Sequence, residues 1–156
     1  GDLAPAGPGP PRRAFLVAGR RPGPEKEFQA RLVAALHQHG YVVDHTYKLR
    51  CQDGSWRTGS TLTGKPDLLA LRPPRVVAIE VKHESPLALD QQAVLSYWSG
   101  IPNARAWVLR TSDDWDRIIT WIADPKSAPR VYGFERLSQL DAYRVLATAA
   151  QRTGPR

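Results

Sequence analysis

Residues 64–82 read GKPDLLALRPPRVVAIEVK. Two apolar runs, PDLLALR and VVAIEVK, flank the connection RPPR, which is short enough to join an antiparallel pair. Counted outward from the two prolines, Asp67 is six residues before Pro73 and Glu80 six after Pro74. A hairpin folded symmetrically about them therefore sets Asp67 opposite the Glu80–Lys82 end. Side chains two apart on a strand share a face, so Glu80 and Lys82 point one way while Ile79 and Val81 point the other. Two carboxylates and one ammonium then converge at the end away from the turn. VVAIEVK has the apolar character of a central strand covered on both faces, and charge buried there is costly unless compensated. Lys82 supplies one compensating charge and a bound Mg2+ would supply two. The residue pattern leaves both open.

The elements around this hairpin define the fold class. Phe28, Leu32, Ala35 and Leu36 recur at helical spacing after Glu25, and Gly40 closes that segment. YVVDHTYKL reads as a strand, and RCQDGSWRTGSTLTGK as a hairpin or long loop. Ser85 followed by Pro86 signals the start of a helix running to Gly100. RAWVLRT is a further strand. DDWDRIITWIAD is a helix with Trp115, Ile118, Ile119 and Ile122 on one face, VYGF a short apolar piece, and LSQLDAYRVLATAAQ a last helix. The order predicts an α/β fold, a mixed four-stranded sheet flanked by helices. Residues 1–24, rich in Pro, Gly and Arg, read as an arm or linker, and 25–156 as one domain.

Composition narrows the partners. The 156 residues carry a formal net charge of +7, which permits nucleic-acid binding. Cys51 is the single cysteine, so an intrachain disulfide is excluded and a reducing, intracellular setting is expected. No apolar run approaches the ~18 residues of a membrane span. The chain begins at Gly1 and has no Met, and it reads as a fragment of a longer protein.

Together, Gly64-Lys65-Pro66-Asp67 and Ile79-Glu80-Val81-Lys82 resemble the motif of the PD-(D/E)xK nuclease superfamily, most closely its VRR-NUC group, with Holliday junction resolvases as relatives. The resemblance spans about Glu25 to Ile119 in the order αβββαβ. It implies a restriction-endonuclease-like core and a Mg2+- or Mn2+-dependent deoxyribonuclease, structure-selective or sequence-tolerant, acting on junction, flap or branched DNA. It implies that Asp67, Glu80 and the Val81 carbonyl ligate the metal and that Lys82 orients or deprotonates the attacking water. A further glutamate from the first helix would be Glu25 rather than Glu27, because Glu25 shares the sheet-facing side with Phe28 and Gln29. A glutamine from the following helix would be Gln91 rather than Gln92, since Val94, Leu95 and Trp98 follow it at core-facing spacing. The stretch Leu87-Ala88-Leu89-Asp90 departs from the Ser-containing turn common in the group.

For DNA contact the polar hairpin offers Lys48, Arg50, Arg57 and Lys65 as phosphate-binding charges and Trp56 as a stacking group, with His83 beside the motif lysine. The competing expectation is a non-catalytic nucleic-acid-binding module that keeps the nuclease fold. A junction-cutting enzyme would act as a homodimer, for which Tyr97 and Trp98 are the aromatic residues on offer.

Overall fold

In a computed structural model, residues 23–45, 48–50, 52–54, 56–58 and 62–153 are described. The Arg-rich arm, except for Gly23 and Pro24, lies outside them. Helix α1 (Pro24–Gln38) opens with a proline in its first turn and Glu25 and Glu27 near its positive end. It buries Phe28, Leu32, Ala35 and Leu36, the four residues that carry its helical period. Gly40, at φ +84°, provides the left-handed turn into strand β1 (Val42–His45).

Strand β4 (Leu68–Arg72) and strand β5 (Arg75–Lys82) form the expected antiparallel hairpin about Pro73 and Pro74, with Leu68 opposite Ile79 and Arg72 opposite Arg75. One further step of this register pairs Asp67 with Glu80. β1 pairs with β4 on one side, and β6 (Ala104–Arg110) runs parallel to β5 on the other. The sheet is five-stranded, not four-stranded, because Val131–Tyr132 within VYGF forms β7, parallel to β6. The strand order is β1-β4-β5-β6-β7. A separate hairpin pairs β2 (Lys48–Arg50) with β3 (Trp56–Thr58), so YVVDHTYKL is divided between two sheets.

Val77, Ile79 and Val81 of β5 point to one face and join Leu32, Leu36, Trp107, Leu109, Ile118 and Ile122 in the larger core under α1 and α3 (Trp115–Ala123). Ala78 points to the opposite face and packs with Leu95 of α2 (Leu89–Trp98), Ala106 and Val108. Glu80 and Lys82 share Ala78's parity and so face α2. The last helix, α4 (Gln139–Thr153), lies against α2, where Gln139 Nε2 donates to the Ser96 carbonyl at 2.8 Å.

Two local expectations need correction. Helix α2 starts at Leu89 with Ala88 as its N-cap, so the Ser85-Pro86 signal is not used. The Ser85 carbonyl instead accepts from Arg110 Nη1 at 2.9 Å, a tertiary contact that holds it in the connecting segment. Trp98 is partly buried against the second core cluster, leaving Tyr97 as the exposed member of that aromatic pair. Among the described residues no helix is long and apolar enough to cross a membrane.

Candidate active site

Asp67 enters the site from the residue before β4, and its position is set by a bond across the hairpin. Its Oδ2 accepts the Val81 N–H at 2.8 Å. Pro66 explains why a carbonyl nearby stays open. Within β5, Val76 and Lys82 hydrogen-bond toward β6, so the N–H and C=O of the odd-numbered residues point toward β4. Extended one further pair, the register puts Val81 opposite Pro66, a residue with no N–H to donate. No ladder bond therefore reaches the Val81 carbonyl from that side.

Glu80 is only 4% exposed, yet it is a carboxylic acid. Its Oε2 accepts Gln91 Nε2 at 3.0 Å and lies 3.7 Å from Lys82 Nζ. Its Oε1 is buried with no hydrogen-bond partner among the described residues. Burial first and the Asp67 charge second raise the Glu80 pKa to about 8, against the opposing pull of Lys82. Asp67 is shifted upward as well, chiefly by burial, against the pull of the Val81 N–H. At neutral pH the pair therefore retains a proton, as two buried acids do when no cation sits between them.

Gln91 is held from both ends. Its Oε1 accepts the Ala88 N–H at 3.0 Å, closing the first turn of α2, while its Nε2 reaches Glu80. Gln92 points elsewhere and donates to the Glu135 carbonyl at 2.7 Å. Gly64 brings the motif loop onto this helix start. It has φ +76°, and a Cβ there would lie 2.6 Å from the Asp90 carbonyl carbon and oxygen. No residue with a side chain fits that approach, which accounts for glycine three positions before Asp67.

These groups line a cleft of about 930 Å³ between the N-terminal ends of α1 and α2, at the end of β4–β5 away from its turn. Glu25 lines it and Glu27 does not; Asp67 also feels Glu25's charge. Lys65 lines it too, 4.0 Å from Asp44. His83 does not belong to it. Its Nδ1 is 2.6 Å from Thr111 Oγ1, and its Nε2 is 3.5 Å from Glu84. Lys48, Arg50, Trp56 and Arg57 occupy strand positions of the β2–β3 hairpin, with Arg50 paired to Trp56; their side chains lie outside the described residues. The hairpin is rooted at the cleft end, since β1 leaves the sheet where His45 pairs with Leu68 and the chain returns through Leu62, Thr63 and Gly64 of the cleft wall.

Lys26, Gln29 and Asp90 also line the cleft and were not singled out as site residues from the sequence. Gln29 had a usable signal, standing one helical turn after Glu25. Lys26 and Asp90 had none, because their place depends on how the two helix ends meet.

The cleft's charged lining is four acids (Glu25, Asp67, Glu80, Asp90) against three lysines (Lys26, Lys65, Lys82), a formal −1. Among the described residues no group of three or more His, Cys, Asp and Glu side chains converges as a metal cage. Mg2+ does not need one, since it takes one or two carboxylates and completes its shell with water and substrate oxygens. The acid pair of Asp67 and Glu80, which needs a proton or a cation between its oxygens, and the Val81 carbonyl without a ladder donor form an all-oxygen set that fits such an ion. Comparison with protein-family models and with curated proteins finds no match to this chain.

Proposed function

We propose that this protein is a divalent-metal-dependent nuclease of the PD-(D/E)xK type, with a restriction-endonuclease-like core, hydrolysing phosphodiester bonds in DNA. The observation that carries the reading is the buried Asp67–Glu80 acid pair beside Lys82: among the described residues Glu80 Oε1 meets no N–H or hydroxyl donor, so a proton held against Asp67 or a cation has to satisfy it. A buried oxygen left unsatisfied is costly, and such atoms mark sites built for something else to fill.

Asp67, Glu80 and the Val81 carbonyl would hold Mg2+ or Mn2+, which supplies Lewis-acid polarisation of the phosphate and acidifies a bound water. The remaining chemistry belongs to the chain. Lys82 places an ammonium 3.7 Å from Glu80, where it can orient the attacking water and counter charge growing on the phosphate. Gln91 holds Glu80 in one rotamer by donating to Oε2, so that Oε1 stays aimed at the site. Lys26 and Lys65 stand on the cleft wall as phosphate contacts. Glu25 lines the α1 side of the cleft and would accept a hydrogen bond from a water there.

With the proton held by the acid pair the cleft lining is neutral, whereas a divalent ion that displaces that proton would bring it to +1 and favour a phosphate. Substrate binding and metal binding are thereby coupled. Hairpin β2–β3, with Lys48, Arg50, Trp56 and Arg57 in its two strands, would follow the nucleic-acid backbone from the cleft. Its described strands are three residues each, too short to read a run of bases, which favours sequence-tolerant or structure-selective cutting.

The test is hydrolysis of labelled single-stranded, duplex and branched DNA with Mg2+ or Mn2+ and with EDTA. Metal-dependent cutting that Asp67→Ala and Lys82→Ala abolish is the expected result. Binding without cutting under either metal would identify a non-catalytic nucleic-acid-binding module on the same fold.

A further inference from the structure

The opposite end of the sheet carries a second concentration of charge. Arg72 ends β4 and Arg75 opens β5, directly opposite each other across the Pro73-Pro74 turn. Arg105 is the second residue of β6, and the β6–β7 register, extended one step, puts Arg130 beside it. Arg105 lies opposite Val77, two residues inward of Arg75 on the same face, so the four arginines form a staggered row over β4, β5, β6 and the residue before β7. Parity assigns Arg72, Arg75 and Arg105 to the face that carries Ala70, Val77 and Trp107.

The row is held in place without acids. Arg105 Nε donates to the Ala128 carbonyl at 3.4 Å, and Arg130 Nη2 to the Ser99 carbonyl at 2.9 Å. The Arg72 guanidinium sits 5.6 Å from the Tyr41 ring centroid. Among the described residues none of the four is in an ion pair with a carboxylate. The charges acting on Arg105 are those of Arg75, Arg130 and Tyr41, and burial together with the two arginines lowers its pKa. Adjacent like charges destabilise a sheet end. Each guanidinium has five N–H donors, so those anchored to one or two carbonyls still have several to present outward.

We propose that Arg72, Arg75, Arg105 and Arg130 form a second nucleic-acid-binding surface, which takes the phosphodiester backbone at the end of the sheet away from the cleft. Strands lie about 4.8 Å apart, so four neighbouring strands span roughly 14 Å, a line of fork-shaped donors suited to successive phosphates rather than one small anion. From Arg75 to Lys82 is seven residues of β5, roughly 23 Å at ~3.3 Å per residue. Arg75 and Lys82 also face opposite sides of the sheet, so the row is a site of its own and not a continuation of the cleft. Exposed Val42, Leu71 and Ile101 stand nearby, so an acidic protein is the competing occupant, and poly-glutamate in the experiment below tests it. The choice of nucleic acid rests on the proposed function, but the surface can be tested apart from the cleft.

The experiment uses the full chain in EDTA and measures affinity for a short labelled single strand and the corresponding duplex over a salt series. Arg72→Ala/Arg75→Ala removes the two arginines that have no carbonyl hydrogen bond among the described residues, with thermal melting as the check that the fold is kept; a second variant replaces both with Lys. The double Ala variant is expected to bind more weakly and to lower the slope of log K against log salt by about 1.8 on duplex and about 1.4 on single strand. The Lys variant keeps most of the slope. An unchanged slope in the Ala variant overturns the proposal. So does equal binding of poly-glutamate or of phosphatidylserine vesicles by the wild type. DNA bound through the row but never cut with metal would refute the nuclease reading and leave the row standing. Cutting with a salt slope indifferent to the row would do the reverse.

Discussion

Gln91 Nε2 donates to Glu80 Oε2 at 3.0 Å while Gln91 Oε1 accepts the Ala88 N–H at 3.0 Å. One side chain therefore both closes the first turn of α2 and fixes the rotamer of the most buried acid in the cleft. Its neighbour Gln92 is bonded to the Glu135 carbonyl instead. Gln91→Ala is expected to lower the cleavage rate by roughly 10–100-fold, the usual effect of losing a group that orients a metal ligand. Gln92→Ala should leave the rate unchanged and cost about 1 kcal/mol of stability at most. Steady-state cleavage and thermal melting of the two variants check this, and equal rate losses would contradict it.

The pH dependence of stability follows from Glu80. Its folded pKa of about 8 lies above the ordinary value of 4.5. Below 4.5 both folded and unfolded states hold the proton. Between 4.5 and 8 the unfolded state releases it while the folded state keeps it, so stability falls as pH rises, by up to about 1.4 kcal/mol per pH unit. Asp67 is shifted in the same direction and adds to the fall. Metal-free wild type should lose Tm from pH 5 to 8 more steeply than Glu80→Gln, and Mg2+ should restore wild-type Tm at pH 8. Parallel Tm curves for the two proteins would contradict the shift.

Lys82 has the most specific role in the proposed chemistry. Lys82→Ala is expected to reduce cleavage by about 10²–10⁴-fold, the range of a general acid–base group. Lys82→Arg retains the charge but cannot give up its proton, and it should recover binding more than rate. Single-turnover cleavage with DNA in excess of its Kd separates the two contributions.

Gly64→Ala tests how the motif loop is seated. The positive φ disfavours any side chain, and the added Cβ would press on the Asp90 backbone. A loss of roughly 1–3 kcal/mol is expected, and because the loop carries Asp67, activity should fall with it. A variant as stable and active as wild type would show that the loop seats otherwise.

The pairing of Asp67 with Glu80 was legible in the sequence because a two-residue turn at Pro73-Pro74 fixes the register, and a period-2 strand then decides the faces. The buried face of α1 was legible for the same kind of reason. The start of α2 was not. Ser85-Pro86 is a sound local signal, but contacts from Arg110 and the seating of Gly64 at Asp90 are tertiary and leave no local mark. β7 is two residues long, too short for a period to show, and so the fifth strand was missed. Gln91 could be favoured over Gln92 by spacing, whereas Lys26 and Asp90 enter the cleft only through the meeting of two helix ends.

The most direct measurement is Mn2+ binding to the wild type, Asp67→Asn and Glu80→Gln, read by the electron-spin-resonance signal of free Mn2+ at pH 7.5. A single saturable site in the wild type, lost or weakened at least tenfold in both variants, is the result this account predicts. Undiminished Mn2+ binding in both variants, or none in the wild type with DNA present or absent, would contradict it.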